Sequence, residues 1–329
     1  MPDNGVYKQL AEMIAREDEV GMPLMPSLVR VVSLQFTPEE AALALNVHIA
    51  GVTLSQLAEK TGLEPAPLKA KLLRMADHGT IVYDPAEENP VYRVVGMVAG
   101  GLTETGLWGG IRFPYTVELG KAVRILLKDH AETALAQLGF GYTPVWAAQA
   151  ALPEDALPSE NLAEAIKEAG HWSVSPCPCR LSQALVDPTN PCKHILPTCM
   201  HTGALSRWAV KHGMARELTY EQALEQLRRC NEDGLVHTIN IYGQICNCCT
   251  DCCAIFHTFK RGAPTFVPSP FAAKADEDLC NACADCADRC PVNAIQVNGH
   301  AVVDQAACIG CGVCVPSCQT KAMALSRRV

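Results

Sequence analysis

Two near-copies of one cysteine run stand near the C-terminal end of this chain: Cys280, Cys283, Cys286 and Cys290, followed by Pro291, then Cys308, Cys311, Cys314 and Cys318. Both read C-x2-C-x2-C-x3-C, a spacing that lets one backbone loop wrap three thiolates around a cubane [4Fe-4S] cluster. The fourth cysteine of each run lies too far round to complete its own cluster and is expected to ligate the other. That assigns cluster one to Cys280, Cys283, Cys286 and Cys318, and cluster two to Cys308, Cys311, Cys314 and Cys290. A pair of such clusters moves single electrons.

The eight cysteines in register resemble the bacterial-type two-cluster ferredoxin domain, over roughly residues 274 to 326. Between the runs, Ala294–Val297 and Ala301–Val303 flank Asn298-Gly299, a strong hairpin signal. The resemblance implies a βαββαβ fold. One departure is visible: the family usually places proline after the last cysteine of each run, and here Cys318 is followed by Gln319. The competing chemistry, zinc, takes four ligands in paired knuckles and leaves the duplicated pattern unexplained.

A second cysteine region lies between residues 172 and 253. It opens with Cys177-Pro178-Cys179-Arg180, continues with Cys192 and Cys199, and closes with Cys246, Cys248, Cys249, Cys252 and Cys253. Cys177, Cys179, Cys192 and Cys199 could close one four-thiolate site, and the later group a second; a bridged site drawing on both groups is the alternative. One or two further [4Fe-4S] clusters are expected here, with a structural zinc as the rival. Arg180 would offset the negative charge of a cluster. His194 and His201 flank Cys192 and Cys199 and are read as neighbours rather than ligands, and Cys230 as a small buried apolar residue. The C-x-C-R and N-C-C-x-x-C-C stretches, with a winged-helix-like front and a ferredoxin-like rear, resemble a group of bacterial 4Fe-4S binding proteins. That resemblance implies architecture and electron transfer, and names no substrate.

The elements that must position these thiolates follow from pattern. Residues 6 to 16 read as an amphipathic helix and Met22 to Ser27 as a Pro-rich connector. Thr37-Pro38-Glu39-Glu40 gives an N-cap, a first-turn proline and acidic residues at a helix start. Helices over Thr53–Lys60 and Pro65–Asp77, then strands at Ile81 and Val91, complete a pattern resembling a winged helix. Its third helix carries Lys69, Lys71 and Arg74, but residues 37 to 95 hold five basic against eight acidic side chains. DNA binding needs a positive face, so protein contact is the expected use. Glu118–Leu138 reads as one long helix and Ser159 as the cap of a helix over 160–169.

The 329 residues leave room for several cores, and the net charge of −8 argues against nonspecific nucleic-acid binding. Eighteen cysteines invite a disulfide reading. The ligand-like spacing and adjacent pairs oppose it, and the charged stretch Met1–Glu19 is unlike a signal peptide. No apolar run reaches the length of a membrane span. A cytoplasmic protein of low-oxygen conditions is expected. No P-loop, H-E-x-x-H, nucleophile elbow or nucleotide fingerprint is found.

The sequence thus predicts a modular α+β chain: a winged-helix-like domain over 1–96, a mixed linker over 97–170, a cysteine-rich metal-binding domain over 171–272, and the two-cluster domain over 273–329. The expected role is an electron-transfer accessory subunit serving a partner redox protein. The rivals are a reductase with its catalytic cluster in the middle domain, and a redox-sensing regulator.

Overall fold

A computed structural model describes residues 4–18, 23–96, 101–109, 112–130, 132–133, 141–239 and 243–328. The front of the chain is helical: α1 (Asn4–Glu17), α2 (Pro26–Gln35) and α3 (Pro38–Val47) lead to β1 (Val52–Thr53), α4 (Leu54–Thr61) and α5 (Pro65–Asp77). A hairpin of β2 (Ile81–Val82) and β3 (Val91–Val94) follows, and β3 lies between β1 and β2 in a three-stranded antiparallel sheet. Reciprocal capping boxes fix two helix starts: Thr37 with Glu40, and Thr53 with Gln56. The stretch expected to be a connector ends in α2 instead. Pro26 occupies its first turn, where a missing N–H costs nothing, and Leu28, Val31 and Val32 are fully buried.

α6 (Thr105–Trp108) and α7 (Thr116–His130) come next. The long helix expected over Glu118–Leu138 covers its first part as α7; most of its last turns lie outside the described residues. A mixed seven-stranded sheet forms the centre of the chain. Its elements in sequence are β4 (Thr143–Trp146), α8 (Leu162–Ala169), β5 (Trp172–Ser175), α9 (Pro178–Val186), β6 (Cys199–Thr202), α10 (Gly203–Lys211) and β7 (Arg216–Leu218). They continue with α11 (Tyr220–Glu232), β8 (Val236–Ile239), β9 (Gln244–Cys248), α12 (Ala254–Phe259) and β10 (Phe266–Val267). The strand order is β10-β4-β8-β9-β6-β5-β7, antiparallel except for the parallel pair of β10 and β4. The region expected as linker therefore supplies a strand of this sheet. α8 starts later than expected: Asn161, not Ser159, caps it by accepting from the Ala163 N–H at 2.9 Å.

The front does not stand apart from the middle. One apolar core runs from Leu10 and Leu28 through Leu72 and Val94 to Trp108, Leu126, Cys199 and Trp208. Polar links reinforce it: Arg207 Nε donates to Asp84 at 2.9 Å, and His212 Nδ1 lies 2.6 Å from Asp77. The hairpin that a winged helix would present to a partner is thereby tied to α10.

The last elements are β11 (Phe271–Ala275), α13 (Asp285–Asp288), β12 (Ile295–Asn298), β13 (His300–Val303) and β14 (Met323–Arg327). β11 pairs with β14 and β12 with β13, the latter around Gly299 at φ +77° as the Asn-Gly signal requires. Where the βαββαβ expectation puts a second helix, Asp304–Thr320 forms turns. Arg289 clips this unit to the middle, donating to the carbonyls of Asn231 at 2.9 Å and Glu232 at 3.2 Å.

Candidate metal centres

In the tail, backbone bends bring thiols from distant positions together. Cys280, Cys283 and Cys286 line one hollow with Cys318, and Cys308, Cys311 and Cys314 line a second with Cys290. In each run the second and fourth residues after the first cysteine are left-handed: Ala282 and Ala284 at φ +58° and +68°, Gly310 and Gly312 at +69° and +73°. Such bends turn successive N–H groups inward. N–H donors reach the sulfurs: Ala301 to Cys280 at 3.3 Å, Ala294 to Cys290 at 3.2 Å and Ala273 to Cys308 at 3.5 Å. Burial resists the thiolate of Cys318, yet the Thr320 hydroxyl and nearby N–H groups hold its thiol below the usual range. Burial pushes Cys311 up to about 12, so ionising it takes a compensating positive charge. A soft, sulfur-bound polynuclear cation fits both hollows.

In the middle region the sheet sorts the cysteines by face. Cys246 and Cys248 stand two apart on β9 and so share a side. Cys249, just past the end of the strand, meets the Cys192 sulfur and the Cys252 N–H instead. On the first side a chain of thiol interactions runs Cys177–Cys179–Cys253–Cys248–Cys246. Two helix starts converge there. Cys177 is the N-cap of α9 and Cys253 the N-cap of α12, and their sulfurs accept from the N–H groups of Arg180 and Phe256. Helix N-termini favour negative charge, as a thiolate-bound cluster carries. Neighbouring thiols first, then burial, raise Cys177 and Cys248 far above the ordinary thiol range. Metal-free, this side holds neutral thiols; a bound cation would have to drive their ionisation.

On the other side, Cys192, Cys249 and Cys252 bring their sulfurs within 4.8 Å of one another, with Cys192 and Cys249 at 3.8 Å. The sequence grouping of Cys192 with Cys177, Cys179 and Cys199 is not what the structure brings together. The vicinal pairs Cys248–Cys249 and Cys252–Cys253 split, one member to each side. Cys199 sits between the first group and the front core, its sulfur accepting from Gln244 Nε2 at 3.2 Å.

Arg180 is 1 % exposed and stands at this divide. Its guanidinium donates to the Ile195 carbonyl at 2.7 Å, Thr198 Oγ1 at 2.6 Å and the Asn247 carbonyl at 2.6 Å, and its charge acts on Cys177, Cys249 and Cys192. The hydrogen bond with Cys252, and then that charge, hold Cys249 below the usual thiol range against burial. His201 is no ligand candidate: it is buried on β6 against Trp108, bonds Ser175 Oγ at 2.9 Å, and burial pushes its imidazole down to about 3. His194 Nδ1 is engaged by Asp233 Oδ2 at 3.0 Å. Cys230 is fully buried, with Gln226 donating to its sulfur at 3.5 Å.

Two positioning residues, Arg124 and Glu104, carried no sequence signal, and a third, Asn247, stood in the N-C-C-x-x-C-C stretch with no role of its own attached. Arg124 of α7 donates to the Cys252 carbonyl at 2.7 Å; Asn247 donates to the Thr198 carbonyl at 2.7 Å and receives His237 at 2.6 Å. Glu104, from the segment read as linker, is near enough to raise Cys199 and Cys246. An arginine 128 residues away in sequence leaves no pattern beside the motif it holds.

Comparison with known proteins meets this geometry at the C-terminal end. The 4Fe-4S binding domain family matches residues 273–296 and 301–324. An Escherichia coli (strain K12) protein named as a candidate electron transport protein, YsaA, is 32% identical over 90 residues, which span 24% of this chain and 57% of that protein. The chain thus covers little more than half the length of that curated relative. No solved structure matches. Among the described residues no helix is long and apolar enough to cross a membrane. The chain therefore carries two 4Fe-4S binding segments on an α+β scaffold, and resembles an electron-transport protein over a quarter of its length.

Proposed function

We propose that this chain is an iron-sulfur electron-transfer protein, an accessory subunit that passes single electrons between the tail and a metal centre in its middle domain. Cluster one takes Cys280, Cys283, Cys286 and Cys318, cluster two Cys308, Cys311, Cys314 and Cys290, and a third [4Fe-4S] cluster takes Cys177, Cys179, Cys248 and Cys253 with Cys246 beside them. The observation that carries the reading is a shared core. Cys311 of run two packs in one apolar cluster with Cys248 and Cys253, together with Val145, Phe256, Phe266 and Val313. Electrons leaving cluster two meet the middle centre without crossing solvent.

The partner that loads or drains cluster one is a redox protein docking at the exposed side of run one, where Cys283 is open to solvent. The winged-helix-like front serves this assembly rather than DNA. Lys71 pairs with Glu39 at 3.9 Å, the hairpin is tied to α10, and acidic side chains outnumber basic ones over residues 37 to 95. A cytoplasmic location suits unpaired thiols in this number.

Iron and sulfide content with EPR test the reading. A chain purified without oxygen should carry about twelve irons, four per cubane. Cys318→Ala should remove the cluster of Cys280, Cys283 and Cys286 while the signal of cluster two persists. About eight irons would eliminate the third cluster. Loss of the Cys308–Cys314 cluster alone would reverse the crossed assignment.

A further inference from the structure

The trio of Cys192, Cys249 and Cys252 differs in scale from every other thiol group in the chain. Among the described residues it is the group of three or more Cys, His, Asp or Glu ligand atoms that all lie within 4.8 Å of one another. The tail quartets, which line two hollows, do not meet that distance. Four-coordinate zinc with Zn–S bonds of about 2.3 Å places its thiolates about 3.8 Å apart along each tetrahedral edge. Cys192 and Cys249 stand at 3.8 Å.

Charge supports the same conclusion. Three thiolates around a divalent ion leave one net negative charge. Arg180, buried and cationic, stands between the two thiol groups: its charge acts on Cys177 as well as on Cys249 and Cys192. Of these it hydrogen-bonds Cys249, while its Nε finds no nitrogen or oxygen partner. A buried cation of this kind is costly without an anion beside it. The backbone also prepares the sulfurs: the Cys252 N–H donates to Cys249 Sγ at 3.3 Å.

We propose that Cys192, Cys249 and Cys252 bind a single thiophilic divalent ion, zinc foremost, in a three-thiolate site separate from the cluster centre on the opposite face of β9. No fourth side-chain ligand atom joins the trio among the described residues. The fourth position is filled from outside the chain, by water or a small anionic ligand, in the manner of open zinc sites. Cys192 is half-buried on an exposed loop, flanked by exposed Lys193, so such a ligand has access. The proposal does not rest on the electron-transfer reading; zinc here with no iron in the middle domain would retain the one and sink the other.

Elemental analysis of the full chain purified without oxygen, with zinc X-ray absorption, decides it. The expected result is about one zinc per chain with three sulfurs near 2.3 Å and one oxygen or nitrogen. Cys192→Ser should lower zinc to under about a tenth of an equivalent while iron stays level, as expected when one of few ligands is lost. The absorption measurement needs no variant, so a Cys192→Ser chain that fails to fold does not remove the test. Four sulfur scatterers, with Cys230 as the nearby candidate, would overturn the open position. Iron lost from Cys192→Ser in place of zinc would overturn the single-ion site. So would a metal-free chain in which native Cys249 and Cys252 react with an alkylating reagent.

Discussion

The loop from Cys280 to Cys290 and the loop from Cys308 to Cys318 follow one backbone path with different residues at the same bends. Run one places Ala282 and Ala284 in left-handed backbone, and run two places Gly310 and Gly312 there. An L-residue in that conformation costs about 1–2 kcal/mol. Run one bears this twice because its loop is partly open and a methyl group has room. Run two has no room. A Cβ on Gly310 would lie 2.1 Å from the Phe271 carbonyl oxygen and 2.2 Å from Ser269 Oγ, and one on Gly312 would lie 2.7 Å from Ala151 Cβ. The duplicated halves have thus been given different tasks. Run two is built into the body of the protein, its Cys311 carbonyl accepting from the Ala148 N–H at 2.9 Å, and run one faces outward.

Three substitutions would break or sharpen this contrast. Gly310→Ala should have the largest effect, a loss of about 3 kcal/mol or more, because backbone carbonyl and methyl cannot occupy the same space. Denaturant unfolding would measure it, and the EPR signal of cluster two should weaken before that of cluster one. A fully wild-type unfolding midpoint would mean run two is not packed as described. Arg289→Ala comes second. It removes the clip between run one and the end of α11, and should cost about 1.5 kcal/mol, the worth of a hydrogen bond from a charged donor. Cys290, the next residue, belongs to the ligand set of cluster two and the rest of run one to cluster one, so both EPR signals should persist at lowered overall stability. An unchanged unfolding midpoint would show that the clip carries no stability. Ala282→Gly should have the smallest effect and the opposite sign, a gain of about 0.5–1 kcal/mol as the left-handed strain is relieved against some loss of chain stiffness. Destabilisation would show that the methyl of Ala282 has a packing role.

The tail was legible because everything that builds it is local. Its cysteine spacing, Asn298-Gly299 turn and strands lie within one short stretch, and each run's fourth cysteine lines the hollow of the other run, where spacing places it. The front was legible where caps announce it, as at Thr37 and Thr53, and illegible at Pro26–Gln35, whose proline reads equally as a breaker or a helix start. The central sheet was hidden for a different reason. Thr143–Trp146 is four residues long, contains Pro144, and gains its meaning only from β8 and β10, which arrive far later in the chain. The sorting of vicinal cysteines to opposite faces needs the direction of β9, and that direction is set by its neighbours. Spacing alone grouped Cys192 with the cysteines nearest to it in sequence, whereas the loop bearing it folds over to Cys249.

The split of Cys248 from Cys249 and of Cys252 from Cys253 also fixes an order of assembly. The tail gathers its thiolates within the single span from Cys280 to Cys318, so no long loop needs closing. The middle centre joins a helix start at Cys177 to a strand at Cys248 and a second helix start at Cys253, and β9 must first pair with β6 and β8. Metal offered too early would meet the ten thiols between residues 177 and 253 with no fold to separate them. Maturation of this chain should therefore run fold first and metal second in the middle, and metal with fold in the tail.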